Sequence, residues 1–254
     1  MTRDWDAATC DWDAATYDRV ADPMTRWGAV VLDRLTLDGS ETVLDAGCGS
    51  GRVTELLCER LSSGHVVALD GSASMVDSAR ARLTRFGDRV SYVVADLGEP
   101  PPLDDLVDAV LSTATFHWVP DHDALFRNLA AILRPGGRLV AQCGGAGNIA
   151  RIQAVLAGIG DGWLRPAHFE TPEATEARLR AAGFVDVRCW LVEEPTVHGP
   201  GEPFETYLAT VVLGAHLERL PPSERAAFVH DVAGRLDEPM IDYVRLNIDA
   251  TRAA

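Results

Sequence analysis

The sequence predicts an α/β protein built on a doubly wound, mostly parallel β-sheet. From residue 42 onward, short apolar segments alternate with helix-like segments. A glycine-rich turn joins the first apolar segment to the helix after it, and Asp45, Asp70 and Asp96 end three successive apolar segments. Short apolar strands that alternate with helices are typical of a parallel sheet covered on both faces.

The N-terminal part, residues 1–40, is predicted to be helical. Within it, residues 4–18 contain the phrase Trp-Asp-Ala-Ala-Thr twice, beginning at Trp5 and at Trp12. A separation of seven residues places the two tryptophans on nearly the same helical face. This pattern favours an amphipathic helix that docks through its tryptophans, and a helical lid over a ligand site is the alternative. A second helix is predicted over residues 23–34.

The central part, residues 41–145, is predicted to hold the core of the sheet. Arg134-Pro-Gly-Gly137 has the composition of a turn and is expected to end the helix before it. The predicted strands span residues 42–45, 65–69, 90–95, 106–111 and 138–143, and the predicted helices span residues 53–61, 72–86 and 121–133.

The C-terminal part, residues 146–254, is less regular and is expected to form the substrate side of a single 254-residue domain. A helix is expected to begin after Thr171, because proline is favoured at the first helical position. We expect a helical cap over the site at residues 203–236; the alternative is that these helices only pack the core. The predicted helices span residues 171–182, 203–217 and 223–236, and the predicted strands span residues 186–192 and 241–248.

The composition argues against several classes of function. A net charge of −15 repels phosphate backbones and anionic lipids, so neither nucleic acid nor a membrane is expected as a partner. All 23 Lys and Arg residues are arginines, which excludes Schiff-base chemistry on a lysine. The cysteines and histidines are scattered without metal-ligand spacing, so no metal is expected. No signal peptide or membrane-spanning run is found, and we expect a cytoplasmic protein.

The glycine-rich turn Gly47-Cys-Gly-Ser-Gly51 predicts a nucleotide-like ligand. Glycines at Gly47, Gly49 and Gly51 let the backbone approach a ligand closely, and the following helix presents free N–H groups. The spacing is G-x-G-x-G, whereas a dinucleotide fingerprint is G-x-G-x-x-G. Asp45 stands just before the turn, and its charge suits a cationic ligand better than a pyrophosphate. S-adenosylmethionine carries an ammonium and a sulfonium, so Asp45 favours it over NAD.

The other two strand-end carboxylates fit the same ligand. In doubly wound folds the ligand lies at the carboxyl ends of the strands. Asp70 is placed to accept hydrogen bonds from both ribose hydroxyls. Asp96, followed by the apolar Leu97, suits the edge of an adenine.

These residues carry a resemblance to a known family. Residues 43–54, with Asp70 and Asp96, resemble the class I S-adenosylmethionine-dependent methyltransferases, and so does Leu133-Arg-Pro-Gly-Gly-Arg-Leu139. The segment from Ala114 to His122 is similar to the trans-aconitate methyltransferase branch. The resemblance implies a seven-stranded sheet with an antiparallel final hairpin. We therefore expect such a sheet with an N-terminal helical lid and a helical cap before the last strand.

The resemblance also implies roles for single residues. Gly47 and Gly49 would line the methionine moiety, and the backbone at Thr113 would meet its ammonium group. Tyr17 and Arg26 are weaker candidates for its carboxylate. The residues implied to hold the ribose and adenine are Asp70, Gly71, Ser72, Met75, Asp96 and Leu97.

The chemistry at the methyl group is assigned to the segment after the fourth strand. His117 is a candidate general base, and the alternatives are a substrate-positioning or a purely structural role. Trp118 is expected to be a pocket wall, with cation–π contact to the sulfonium as the alternative. The cap brings Phe204, Tyr207, Leu213, His216 and Phe228, and the candidates to bind a polyacid are Arg151, Arg165 and Arg219.

The sequence therefore predicts a methyltransferase that uses S-adenosylmethionine and methylates oxygen or carbon of a small molecule. A carboxylate is one candidate acceptor. A protein that binds the cofactor without turnover is an alternative. Another is a non-methylating biosynthetic step on the same scaffold, such as a cyclisation. Arginines beside the methyl group would favour a small polyacid, and an apolar pocket would favour a larger acceptor.

Overall fold

The structure, a computed structural model, describes residues 22–163 and 167–254. The predicted helix over residues 4–18, Tyr17 and Arg165 lie outside the described residues. The strands are β1 Thr42–Ala46, β2 His65–Asp70, β3 Val90–Val94, β4 Val107–Thr113, β5 Leu133–Gly144, β6 Phe184–Glu193, β7 Thr196–Val197, β8 Met240–Ile241 and β9 Val244–Arg252. The α-helices are α1 Asp22–Asp33, α2 Arg52–Arg60, α3 Ala73–Arg82, α4 His122–Ile132, α5 Ala150–Ile159, α6 Pro172–Ala181, α7 Glu202–Tyr207, α8 Gly214–Leu217 and α9 Pro222–Gly234.

Seven strands form one sheet in the order β3-β2-β1-β4-β5-β9-β6. Strands β1 to β5 pair in parallel, and β9 runs antiparallel to both β5 and β6. The predicted fold class is therefore confirmed. The chain leaves β1 toward β2 and β3 and later returns on the other side of β1 to form β4. This switch point opens a crevice at the carboxyl ends of the strands, where ligands bind in such folds.

Both faces of the sheet are covered by apolar side chains. Along β1, Leu44 joins a cluster with Phe126 of α4, whereas its neighbour Val43 joins a cluster with Leu57 of α2 on the opposite face. Successive side chains of a strand point to opposite faces, so a continuous apolar strand can fill two cores. In the part of the chain that the structure covers, no helix combines the length and the apolarity needed to cross a membrane.

A third apolar cluster lies beneath the cap. It joins Trp27 of α1 and Ile152 of α5 to residues of the cap, among them Leu208, Leu213 and Val232. The cap is thus attached to the domain by its own buried core.

Several predicted boundaries need correction. The helix predicted over residues 72–86 ends at Arg82, and a 3₁₀ segment, Thr84–Arg89, follows it. The helix predicted over residues 203–217 is broken by a π-helical turn, Leu208–Val212, in which the Leu213 N–H donates to the Leu208 carbonyl at 2.7 Å. The strand predicted over residues 241–248 is divided, because Met240–Ile241 pairs with Thr196–Val197 in a separate small sheet. Helix α5 is absent from the prediction.

Candidate active site

A cavity of about 490 Å³ opens at the carboxyl ends of the parallel strands. This volume lies within the range of roughly 300–1,000 Å³ that is typical of small-ligand sites. The glycine turn after β1 and the loops after β2, β3, β4 and β5 all contribute to its wall.

The glycine turn is held to the neighbouring strand by its own backbone. The N–H groups of Gly47 and Cys48 both donate to the Leu69 carbonyl, at 2.8 and 2.9 Å. Gly47 has a φ of 86°, and a Cβ built on it would come within 2.0 Å of the Thr115 Oγ1. A side chain at this position is therefore excluded by the backbone conformation and by the loop after β4.

Asp70 links the glycine turn to the next helix. Its Oδ2 accepts from the Gly49 N–H and its Oδ1 from the Ser72 N–H, each at 2.9 Å. Burial raises the pKa of Asp70, while these backbone donors act in the opposite direction. A carboxylate offers about four lone-pair sites, so Asp70 keeps acceptor capacity toward the cavity that it lines.

Replacing Asp70 tests its predicted role toward the ribose. We expect Asp70→Ala to weaken cofactor binding by about 100-fold, because two charge-assisted hydrogen bonds to ribose hydroxyls are worth about 3 kcal/mol. Titration calorimetry with S-adenosylhomocysteine measures the effect. Asp77→Asn, an exposed carboxylate on α3, is the matched control. An unchanged Kd in Asp70→Ala would disprove the ribose assignment.

The side of the cavity near β3 is acidic and apolar. Asp96 is exposed at the rim, where its Oδ1 accepts from the Gly98 N–H at 2.8 Å. Leu97 and Met75 are 5% exposed and line the same side. Ser72 caps α3 by accepting from the Met75 N–H at 3.3 Å, which fixes the position of Met75. The arrangement provides an acceptor and two apolar surfaces for a purine.

The opposite side of the cavity, near β4 and β5, carries hydrogen-bond donors. His117 lies in a 3₁₀ turn, Phe116–Trp118, and is buried. The Gly144 N–H donates to His117 Nδ1 at 3.3 Å, and Phe169 stacks on the ring with centroids 5.7 Å apart. A backbone N–H can only donate, so Nδ1 accepts and the neutral ring carries its proton on Nε2. In this state the His117 ring can donate through Nε2.

The neighbours of His117 hold its turn in place. The ring of His122 bonds through Nε2 to the Phe116 carbonyl at 2.9 Å. A carbonyl accepts, so His122 is the donor, and burial lowers its pKa. Asp121 caps α4 by accepting from the Ala124 N–H at 2.8 Å. Asp121 and His122 therefore support the local structure, while His117 and Trp118 line the cavity.

Sequence reasoning missed four polar residues of this side: Thr115, Asn148, Tyr243 and Arg245. Arg245 is 3% exposed, and its guanidinium lies 5.0 Å from the centroid of the Trp27 ring. Asn148 follows the glycine-rich end of β5 and accepts from the Val244 N–H at 3.0 Å. The sequence did carry a signal for Arg245, because a charged residue stands between Val244 and Leu246 in a segment predicted to be a buried strand.

Of the predicted cofactor residues, three need correction because they do not line this cavity. Asp45 is 1% exposed and lies beneath the turn, where Thr54 Oγ1 donates to it at 2.7 Å. Gly51 precedes α2 and faces Ala79 and Leu83. Arg26 is exposed and belongs to a separate pocket beside residues 195–198. The predicted residues that line the cavity are Gly47, Gly49, Asp70, Gly71, Ser72, Met75, Asp96, Leu97 and Thr113.

The cap and the candidate arginines also differ from expectation. Phe204, Tyr207, Leu213, His216 and Phe228 do not line the cavity and pack within the cap region. Instead, Val211 and Val212 of the π-helical turn reach the cavity. Arg151 points to Asp237 and Glu238 at 3.8 and 3.9 Å, and Arg219 lies 5.0 Å from the Trp163 ring, both outside the cavity.

Burial raises the pKa of Asp45 to about 7, from an ordinary value of 3.8. Between these values the folded protein holds a proton that the unfolded chain has released. The free energy of unfolding therefore falls as the pH rises from about 4 to about 7. Asparagine at position 45 can still accept the hydrogen bond from Thr54 but does not titrate. We therefore expect Asp45→Asn to remove on the order of 2–4 kcal/mol of the fall in unfolding free energy between about pH 4 and pH 7.

Urea unfolding of the wild-type protein and Asp45→Asn between pH 4.5 and 8 measures this difference. Asp104→Asn, an exposed carboxylate, serves as the control for the general charge effect. Parallel stability curves for wild type and Asp45→Asn would contradict the assignment.

Comparison with known proteins identifies a methyltransferase domain in part of the chain. Residues 43–137, from β1 into β5, match a family model described as a methyltransferase domain. The solved phosphoethanolamine N-methyltransferase 2 of Haemonchus contortus, in complex with S-adenosylhomocysteine, shares the fold. It is 18% identical with a TM-score of 0.65, over 95% of this chain and 57% of that chain. Residues 43–137 therefore carry a methyltransferase domain, and S-adenosylmethionine is the cofactor that these comparisons support.

The chain is also similar to the trans-aconitate 2-methyltransferases. The enzyme of Variovorax paradoxus is 39% identical over 139 residues, which cover 55% of this chain and 49% of that protein. The enzyme of an Azoarcus species is 41% identical over 126 residues, covering 50% and 48%. The chain thus spans about half the length of the curated relatives that it matches.

The residues of the cavity suit this cofactor. A Cβ at Gly49 would extend into open space, so the turn leaves room for a ligand against its backbone. Asp70 and Asp96 supply acceptors for hydroxyl and amine groups on the β2–β3 side. Among the described residues no group of three His, Cys, Asp or Glu side chains could hold a metal ion.

Proposed function

We propose that the protein transfers a methyl group from S-adenosylmethionine to a carboxylate oxygen of a small molecule. When bound, the cofactor supplies a methyl group whose C–S bond breaks, with the electron pair returning to sulfur, as an acceptor oxygen forms the new C–O bond. A carboxylate is already ionised at neutral pH and needs no general base. The residues around the acceptor then have to bind, orient and exclude water.

The hydrogen bond from the Gly144 N–H to His117 Nδ1 carries this proposal. It leaves the ring a donor at Nε2, which suits a carboxylate and does not suit the removal of a proton from a phenol. Asp70 ends β2 and Asp96 follows β3, whereas His117 follows β4 and Arg245 lies in β9. This separation supports different positions for the cofactor and the acceptor. The names of the relatives, which act on trans-aconitate, agree with an acid as the acceptor.

Incubation with cofactor labelled in its methyl group tests the proposal. We expect label to appear in carboxylic acids as methyl esters, which alkali releases as methanol. Phenols and activated carbon acids of matched size are the comparison. Label that resists alkali would point to another acceptor atom and contradict the proposal. Cofactor binding with no transfer to any member of the panel would favour a non-catalytic or non-methylating protein.

A further inference from the structure

We infer that the acceptor is a monocarboxylic acid with an apolar body, rather than a polyacid. The inference rests on the proposed function and narrows its substrate class. In this arrangement His117, Asn148 and Arg245 hold one carboxylate, and the apolar body lies against Ile149, Val211 and Val212 on the cap side of the cavity.

The charges that line the cavity match one carboxylate. Within the ranges 22–163 and 167–254, Arg245 is the one arginine in the cavity wall, and the sequence contains no lysine. Asp70 and Asp96 line the same cavity and oppose additional negative charge. A tricarboxylate would bring three negative charges toward a single guanidinium, and Arg151 and Arg219 lie elsewhere.

The three donors meet at the carboxyl end of β5. Arg245 pairs with Gly144 in the antiparallel register, and the Gly144 N–H is the group that orients His117. Arg245 is itself oriented by the Trp27 ring and by a bond from its Nε to Gln142 Oε1 at 3.4 Å. Asn148 accepts through Oδ1, so its Nδ2 remains a donor. Such preorganised donors fix the position of one anionic group.

The remainder of this side is apolar. Val211 and Val212 come from the π-helical turn of the cap, and Met24, Val119 and Phe169 extend the same surface. A π-helical turn is rare and occurs mostly at functional sites. Here it places two neighbouring valines at the cavity, where a regular helix would present residues three or four positions apart.

Ile149 adds an independent observation. Its φ is 50°, a left-handed conformation that is rare for a β-branched residue, and it lies directly before α5. The Ile149 N–H donates to the Asp242 carbonyl at 3.0 Å, which helps to hold this conformation. Strained residues of this kind cluster at functional sites. A branched apolar side chain lies at the cavity although asparagine or glycine would suit the backbone better.

A labelled-methyl assay with acids of graded size tests the inference. We expect kcat/KM to rise roughly three- to four-fold for each methylene that is added from butanoate to octanoate, in line with the burial of apolar surface. Octanoate should exceed both its dicarboxylate analogue and trans-aconitate by at least about 100-fold. Preference for trans-aconitate would overturn this inference and leave the proposed function intact. Transfer to phenols alone would overturn the proposed function itself.

Two variants test the two halves of the acceptor site. We expect Arg245→Gln to lower kcat/KM for octanoate by about 100-fold, with the Kd of S-adenosylhomocysteine changed less than about three-fold. Arg151→Gln, outside the cavity, is the control.

We expect Ile149→Asn to raise the KM for octanoate about ten-fold while the Tm of the variant stays level or rises, because asparagine tolerates the left-handed backbone. A weaker cofactor Kd with an unchanged KM in either variant would overturn the inference.

Discussion

Gly47→Ala is expected to produce the largest loss of function of any single substitution considered for this protein. The added methyl group would lie 2.0 Å from Thr115 Oγ1. The alanine would also have to adopt the left-handed backbone of Gly47, with a φ of 86°. The left-handed conformation alone costs about 1–2 kcal/mol. Relief of the clash moves either the turn or the loop after β4, and both line the cavity. We expect the unfolding free energy to fall by at least about 2 kcal/mol and cofactor affinity to fall at least about 100-fold.

Gly49→Ala provides the matched control for this substitution. Gly49 also has a positive φ, 53°, but a Cβ built on it meets no atom within 4 Å. We expect a loss of about 1 kcal/mol of stability, from backbone strain alone. Denaturant unfolding of both variants without cofactor separates strain from the clash. Equal losses of stability in the two variants would show that Thr115 has no part in the effect.

The cofactor side of the cavity is predictable from the sequence because its residues follow strands in order along the chain. Gly47, Asp70 and Asp96 each come directly after or at the end of a short apolar segment. Parallel strands bring such positions to one edge of a sheet. Local pattern and topology are then sufficient, and no long-range contact has to be known.

Asp45 shows where this reasoning stops. Its place at the end of β1 is predictable, but the direction of its side chain depends on the packing of Thr54 of α2 beneath the turn. Strand ends bring side chains to the correct edge of the sheet without deciding which of them face the ligand. The same holds for Gly51, which faces α3 rather than the cavity.

The proposed acceptor side is assembled from segments that are far apart in sequence. His117 follows β4 and Asn148 follows β5. Arg245 is the second residue of β9, more than a hundred residues after His117. Arg245 reaches the cavity because β9 runs antiparallel and so starts at the edge where the other strands end. Hydrophobic pattern predicts a strand there, but it carries no information on the strand's direction or neighbours.

The cap illustrates a different limit. Its helical content is predictable from composition, but the π-helical turn at Leu208–Val212 is set by long-range packing, since Leu208 shares an apolar cluster with Trp27 and Ile152. A run of β-branched residues, Thr210 to Val212, followed by Gly214 is the sequence signal that a regular helix is weakened. The aromatic side chains that stand out in the sequence form the cap's core, and the less conspicuous valines face the cavity.

His117→Asn is expected to lower kcat/KM for a carboxylic acid by about 10- to 100-fold. This is the effect of losing one charge-assisted hydrogen bond, which is worth about 1.5–3 kcal/mol. Asparagine can still accept from the Gly144 N–H, as His117 Nδ1 does, but it has no donor at the position of Nε2. The fold should therefore persist while the acceptor loses its contact. Circular dichroism and cofactor titration verify that the fold and the cofactor site are intact.

His117→Gln separates donation from base catalysis, because its side-chain amide places an N–H near the position of Nε2 but is not basic. We expect this variant to keep kcat/KM within about ten-fold of the wild-type value, and so to be more active than His117→Asn. If His117 acted as a base, neither asparagine nor glutamine could take over that role, and both variants would be equally inactive. Equal inactivity would assign His117 to a base and move the acceptor from a carboxylate to a phenol or a carbon acid. Activity in the glutamine variant alone would leave the hydrogen bond from Nε2 as the contribution of His117.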